Sequence, residues 1–160
     1  MKMSLKMKKT RHFTKKLNNL KKKLKDYDGA KVYVGYYMDQ GIHHESQMSY
    51  VELMTLHEYG VDNNGVHIPA RPVLHITNSG GIFLPADKDA IKKALTGVFV
   101  KNIPMRTALN AIGAHYQQKG RDVFGSSALL PTVKGNPPLI DTGDLSEKFS
   151  YRTSLTYKVG

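Results

Sequence analysis

From Lys148 onward the chain alternates strictly. Phe149, Tyr151, Thr153, Leu155, Tyr157 and Val159 fall on one side of an extended backbone, and Lys148, Ser150, Arg152, Ser154, Thr156 and Lys158 on the other. Strand side chains point to opposite faces with period two, so the run demands a strand or tight hairpin with one covered and one wet face. A second strand signal stands near the other end. In Lys31 to Tyr37, Val32, Val34 and Tyr36 alternate with Tyr33, Gly35 and Tyr37. These two segments are expected to pair in a small antiparallel sheet.

Helical signals fill the space between. Ser49 and Glu52 have capping-box spacing ahead of Val51, Leu53, Met54 and Leu56, and Gly60 is a fitting stop. Val61 to Pro72 reads as a loop whose end, Ile68-Pro69-Ala70-Arg71-Pro72, is extended because each proline pushes the residue before it out of helical space. Pro85, Asp87 and Asp89 open a helix with Ile91, Ala94, Leu95, Val98 and Phe99 on one face. Pro104 opens another with Met105, Ala108, Leu109, Ile112 and Tyr116, and Ala111, Gly113 and Ala114 thin its flank for close approach. Gly125 to Pro138 has no periodicity and reads as a long excursion. The fold class is α+β: a small antiparallel sheet packed against helices, preceded by a basic amphipathic helix.

That helix belongs to an arm, residues 1–28, set before a single domain, residues 29–160. Phe13, Leu17, Leu20, Leu24 and Tyr27 recur at spacings of four and three, and Asp28-Gly29 ends the pattern. The stripe is expected to be buried, docking on the body or on a neighbouring subunit, since two heptads are short for a coiled coil. Residues 1–9 carry no pattern and are read as mobile. Charge is concentrated here: residues 1–26 hold 11 Lys+Arg against Asp26 alone, a net of +10, leaving 13 basic and 12 acidic groups elsewhere. The +11 total therefore describes an arm rather than the whole surface. Lys15, Lys16, Lys21, Lys22, Lys23 and Lys25 are candidate DNA-facing residues, acting by phosphate neutralisation. With Phe13 the one aromatic in the run, base stacking is poorly supplied.

Composition excludes several classes. No cysteine means no disulfide framework and no thiolate metal site, as suits a reducing cytosol. No apolar run reaches spanning length, and the start is too polar to read as a secretory signal. His43, His44, Glu45, His57 and Glu58 are metal-ligand types, but His57-Glu58 lacks a second histidine four residues on, and adjacent histidines diverge. They read as polar loop and helix residues. Asp141-Thr142-Gly143 matches the aspartic-protease tripeptide, which in one copy would need a homodimer sharing a proton between two carboxylates. Asp144-Leu145-Ser146 after it favours a turn with Thr142 as a helix cap. No catalytic, cofactor or metal residues are assigned, and the chain is read as a non-enzyme.

Three segments in order go further: Leu56-His57-Glu58-Tyr59-Gly60, then Ile68-Pro69-Ala70-Arg71-Pro72, then Leu139-Ile140-Asp141-Thr142-Gly143-Asp144-Leu145 before the last β run. Over roughly residues 31 to 155 this resembles the tailed-bacteriophage tail-component family of neck and tail-completion proteins. The resemblance implies a structural virion protein made in the host bacterial cytoplasm. It would form a ring, usually of six copies, joining the head connector to the tail. It implies as partners other copies, the head connector or stopper, tail terminator or tube proteins, and genomic DNA in the channel, with no membrane. Ile68, Pro69, Arg71, Pro72, Asp141, Thr142 and Gly143 are then the motif residues, expected at subunit interfaces or in supporting turns. A nucleic-acid-binding module acting through the lysine helix is the alternative.

Overall fold

The structure, a computed structural model, describes residues 2–63, 65–78, 84–129 and 143–155, with side chains of the first helix from Phe13 on. Helix α1 (Lys2–Asp26) leads into strand β1 (Lys31–Gly35), a single 3₁₀ turn at Met38–Gln40 and helix α2 (Tyr50–Tyr59). A hairpin, β2 (Val61–Asn63) and β3 (Val66–Ile68), precedes the short α3 (Val73–Thr77). The long helices α4 (Pro85–Lys101) and α5 (Met105–Arg121) follow, then α6 (Asp144–Lys148) and β4 (Ser150–Ser154).

The expected pairing of the first and last strands is present. β1 and β4 run antiparallel, with Lys31 opposite Ser154, Val32 opposite Thr153 and Val34 opposite Tyr151. This register puts Val32, Val34, Tyr151 and Thr153 on one face, against α5. On the wet face the Arg152 guanidinium lies 3.9 Å from the centre of the Tyr37 ring and bonds Asp39. The close approach of α5 needs two glycines. A Cβ at Gly113 would stand 2.2 Å from the Tyr151 ring, and one at Gly120 2.1 Å from the Phe149 ring.

Two apolar clusters hold the body together. One gathers Tyr50, Met54, Val73, Val123, Phe124, Leu129, Leu145 and Phe149, drawing on α2, α3, α6 and the turns after α5. The other joins Val98, Met105, Ala108 and Leu109, with Tyr27, Val32 and Leu155 packed against it. Phe149 is wholly enclosed, edge-on to Tyr36 and Phe124.

Several expectations change. Val61 to Ile68 is a paired hairpin rather than a loop, and Val73–Thr77 is helical. Helix α1 begins at Lys2, so residues 2–9, read as mobile, belong to it. The arm's stripe is not buried by its own body: Phe13, Leu17, Leu20 and Leu24 are 66%, 39%, 38% and 54% exposed. Only the end of the helix docks, where Tyr27 joins the second cluster. The body's core closes without the stripe. Of the expected excursion at 125–138, residues 125–129 form tight turns after α5, and the rest lies outside the described residues.

Candidate functional site

Lys15, Lys16, Lys21, Lys22 and Lys25 are exposed around α1. Lys23 differs. Its Nζ donates to Asn102 Oδ1 and, at 3.5 Å, to the Val98 carbonyl, at the C-terminal end of α4. That end carries the negative pole of the helix dipole, so the contact is charge-matched. Lys23 is therefore committed to its own chain, and five of the six candidate lysines face solvent.

The Ile-Pro-Ala-Arg-Pro segment is a strap closing over α2. Gly60, with φ of 72°, ends the helix, and a Cβ there would lie 2.7 Å from the Ile68 carbonyl oxygen and 2.8 Å from the Ala70 nitrogen. Only glycine satisfies both the backbone angle and this crossing. Arg71 donates its N–H to the His57 carbonyl, and its side chain turns inward to 5% exposure, with Nη1 3.5 Å from the Pro69 carbonyl. A stiff extended segment presents this guanidinium at low entropic cost to a carboxylate or carbonyls of its own subunit or the next, and the structure seats it within its own chain. Ile68 pairs with Val61, and Pro69 and Pro72 are half-buried in the strap.

Glu58 completes the strap. Its carboxylate accepts from the N–H groups of Leu74 at 2.9 Å and His75 at 2.8 Å, capping α3 across the proline turn. His57 beside it is pushed below the usual imidazole range by burial first, then by the Arg71 and His43 charges. His43 is buried, with Nδ1 3.1 Å from Ser46 Oγ and its ring edge-on to Tyr50. Among the described residues no three His, Asp or Glu side chains converge as metal ligands would.

Asp141 and Thr142 lie outside the described residues, and the cap position expected of Thr142 falls instead to Gly143. Gly143, at φ of 77°, occupies the cap position of α6 and contributes no side-chain bond there. The left-handed angle suits glycine and fits the reading of this motif as a turn entering a helix.

One charged centre escaped sequence reading. Asp87, in the first turn of α4, is 2% exposed and accepts from His115 Nε2 at 2.9 Å, Lys119 Nζ at 2.9 Å and the Leu84 N–H at 3.1 Å. Burial raises the carboxyl pKa, but the bonds from His115 and Lys119 more than offset this and hold it below the usual range. Asp87 thus pins α4 to α5 and caps α4. The one hint in the sequence was an acid three residues past Leu84 ahead of a helix, a capping position.

No helix of the described residues is long and apolar enough to cross a membrane. Comparison with protein-family models, characterised proteins and solved structures finds no match to this chain.

Proposed function

We propose that this chain is a structural protein of the phage neck, a tail-completion or head–tail joining component that assembles as a ring of six copies in the virion. The observation that carries the reading is the ordered triplet of motifs, 56–60, 68–72 and 139–145, set in an α+β frame. Two features support it. The strap locks α2 to α3 through Gly60, Glu58 and Arg71, giving a rigid corner suited to repeated interfaces. The buried Asp87 centre, with His115 and Lys119, and the His43–Ser46 contact are each made within the chain and stiffen the body. Neighbours in this reading are the head connector or stopper on one side and tail terminator or tube proteins on the other. Native mass of the purified chain and its presence in purified virions test the proposal. A chain absent from virions removes it.

A second reading, a nucleic-acid-binding module, rests on the five exposed lysines of α1. Replacing Lys21 and Lys22 with Gln should leave folding intact and lower the affinity for duplex DNA by a salt-dependent factor. In the ring reading the same change lowers DNA retention in filled particles. DNA binding that ignores both the substitution and the salt removes the phosphate contact.

A further inference from the structure

Helix α1 and helix α4 together form an open trough. Where they meet, a groove of about 600 Å³ is walled by Leu20 of α1 and by Phe99 and Val100 of α4. It continues along α4 as a second depression of about 650 Å³ over Ile91, Leu95, Phe99 and Val100. Val100 is 73% exposed, so the floor is apolar and open. The charged residues of the rim are all lysines, with Asn19, Asn102 and Thr96 between them. Lys16, Lys22 and Lys23 border the first part, Lys88 and Lys92 the second, and no Asp or Glu among the described residues lines either.

Of the α1 stripe only Leu20 lines the trough, while Phe13, Leu17 and Leu24 stand exposed outside it, and the stripe is narrow. At 100° per residue, Phe13, Leu17, Leu20 and Leu24 fall within about 60° of arc. A strip of that width is the seam of a helix-to-helix contact, whereas a face that lies on a sheet or in a bilayer spans 100° or more. The positions flanking the seam include Lys16, Lys21 and Lys23. Pairing of α1 with its own copy would set lysine against lysine along the whole contact. Nor does α2 of another copy fit. The two carboxylates of α2 are already used, Glu52 in capping α2 and Glu58 in capping α3.

We infer that the α1–α4 trough is the docking site for an amphipathic helix of another protein, one with an apolar seam bordered by Asp and Glu. Apolar burial along Leu20, Phe99 and Val100 supplies affinity, and the lysine rim selects an acidic helix over a basic one. The lining of this trough, and not the neck reading, carries the docking site, and the peptide test reads it separately from virion association.

The test uses the full chain and a synthetic three-heptad helical peptide with Leu in its seam and Glu on both flanks. The expected result is saturable binding by fluorescence anisotropy, with no binding of the same peptide carrying Lys flanks. Val100→Asp, at an exposed position, should weaken binding about tenfold or more, as should the pair Lys88→Glu with Lys92→Glu. Leu17→Ser with Leu20→Ser should do the same at unchanged helicity of the body. No binding of the Glu peptide overturns the inference, and so does binding that ignores both Val100→Asp and the leucine pair, since that is charge attraction alone. A doubled native mass that the leucine pair abolishes would assign the trough to a second copy instead. Duplex DNA that displaces the peptide and binds more weakly to the leucine variant would assign it to nucleic acid.

Discussion

Alanine in place of Gly120 sets two known effects against each other, and the structure says which wins. Helix propensity favours alanine over glycine by roughly 0.8–1 kcal/mol inside a helix, somewhat less at the end of α5, where Gly120 sits. Against it stands the Phe149 ring, whose Cε1, Cζ and Cδ1 would lie 2.1, 2.4 and 2.9 Å from the new methyl carbon. Carbon atoms pack best at roughly 3.5–4.0 Å, so the ring must retreat by more than about 1 Å. The ring is 0% exposed and held by Tyr36 and Phe124, centred 5.6 and 6.1 Å away, so its retreat disturbs both neighbours. Overpacking of this kind costs about 1–3 kcal/mol, and the rigid surround puts it at the upper end. The net loss is then about 2 kcal/mol, a fall in Tm of roughly 4–8 °C for a chain of this size. The same substitution elsewhere provides the controls. At Gly113 the methyl meets the Tyr151 ring at 2.2 Å, but Tyr151 is only half-buried and can tilt, so the loss should be smaller. At Gly97 it meets only Cδ1 of the exposed Ile103 at 3.0 Å, so propensity should win and Tm should rise. Thermal melts by circular dichroism should rank Gly97→Ala above wild type, then Gly113→Ala, then Gly120→Ala. A Gly120→Ala protein as stable as wild type would refute the packing argument.

Three further outcomes are expected. Glu58→Ala should cost about 1–2 kcal/mol in urea unfolding, because two α3 N–H groups lose a charged acceptor, while Glu58→Gln should cost less. Asp87→Asn leaves Lys119 and His115 without their buried anion and should cost about 3 kcal/mol at neutral pH. The folded carboxyl titrates below its unfolded value, so its stabilisation is present above the ordinary carboxylate range and lost as pH falls through the folded value; the variant's acid-unfolding curve should be flatter there. His57 likewise titrates lower folded than unfolded, so wild-type stability should decline as pH falls below the ordinary imidazole range. Replacement with Gln should remove that part of the decline.

What could be read from the sequence was what local chemistry fixes. The Ser49–Glu52 box is made within four residues and is present, Ser49 N–H donating to Glu52 at 2.9 Å. The alternation at 149–155 fixed a strand face whatever its partner, and the partner, β1, followed from there being one other clear strand. The β2–β3 hairpin was missed because three residues are too few to show alternation, although Asn64-Gly65 between them is a hairpin dipeptide. Glu58, Asp87 and Gly120 were not legible as a cap, a clamp and a contact, because their partners lie 16 to 32 residues away in sequence. Arg71 was legible as a stiffly held cation, but the choice between its own subunit and the next was not, since the direction it faces depends on α2 folding beneath it.

The arm shows the limit of periodicity most sharply. Spacings of four and three specify a helix and a seam but not what covers the seam. Helix α1 has 25 residues, no acid in its first turn, and lysines at Lys21 and Lys25 that repel one another at i, i+4. Isolated helices of such composition are marginal in water, and the body packs only the last turns. Each of these costs is relieved by one change, an acidic helix laid along the seam, which covers the leucines and neutralises the lysines together. Amide protection of α1 in the free chain should therefore be weakest near Phe13, rise toward Tyr27, and increase along the whole arm when the Glu-flanked peptide binds. Amide hydrogen exchange resolves this residue by residue. Full protection at Phe13 and Leu17 in the free chain would show that α1 needs no partner to stay folded.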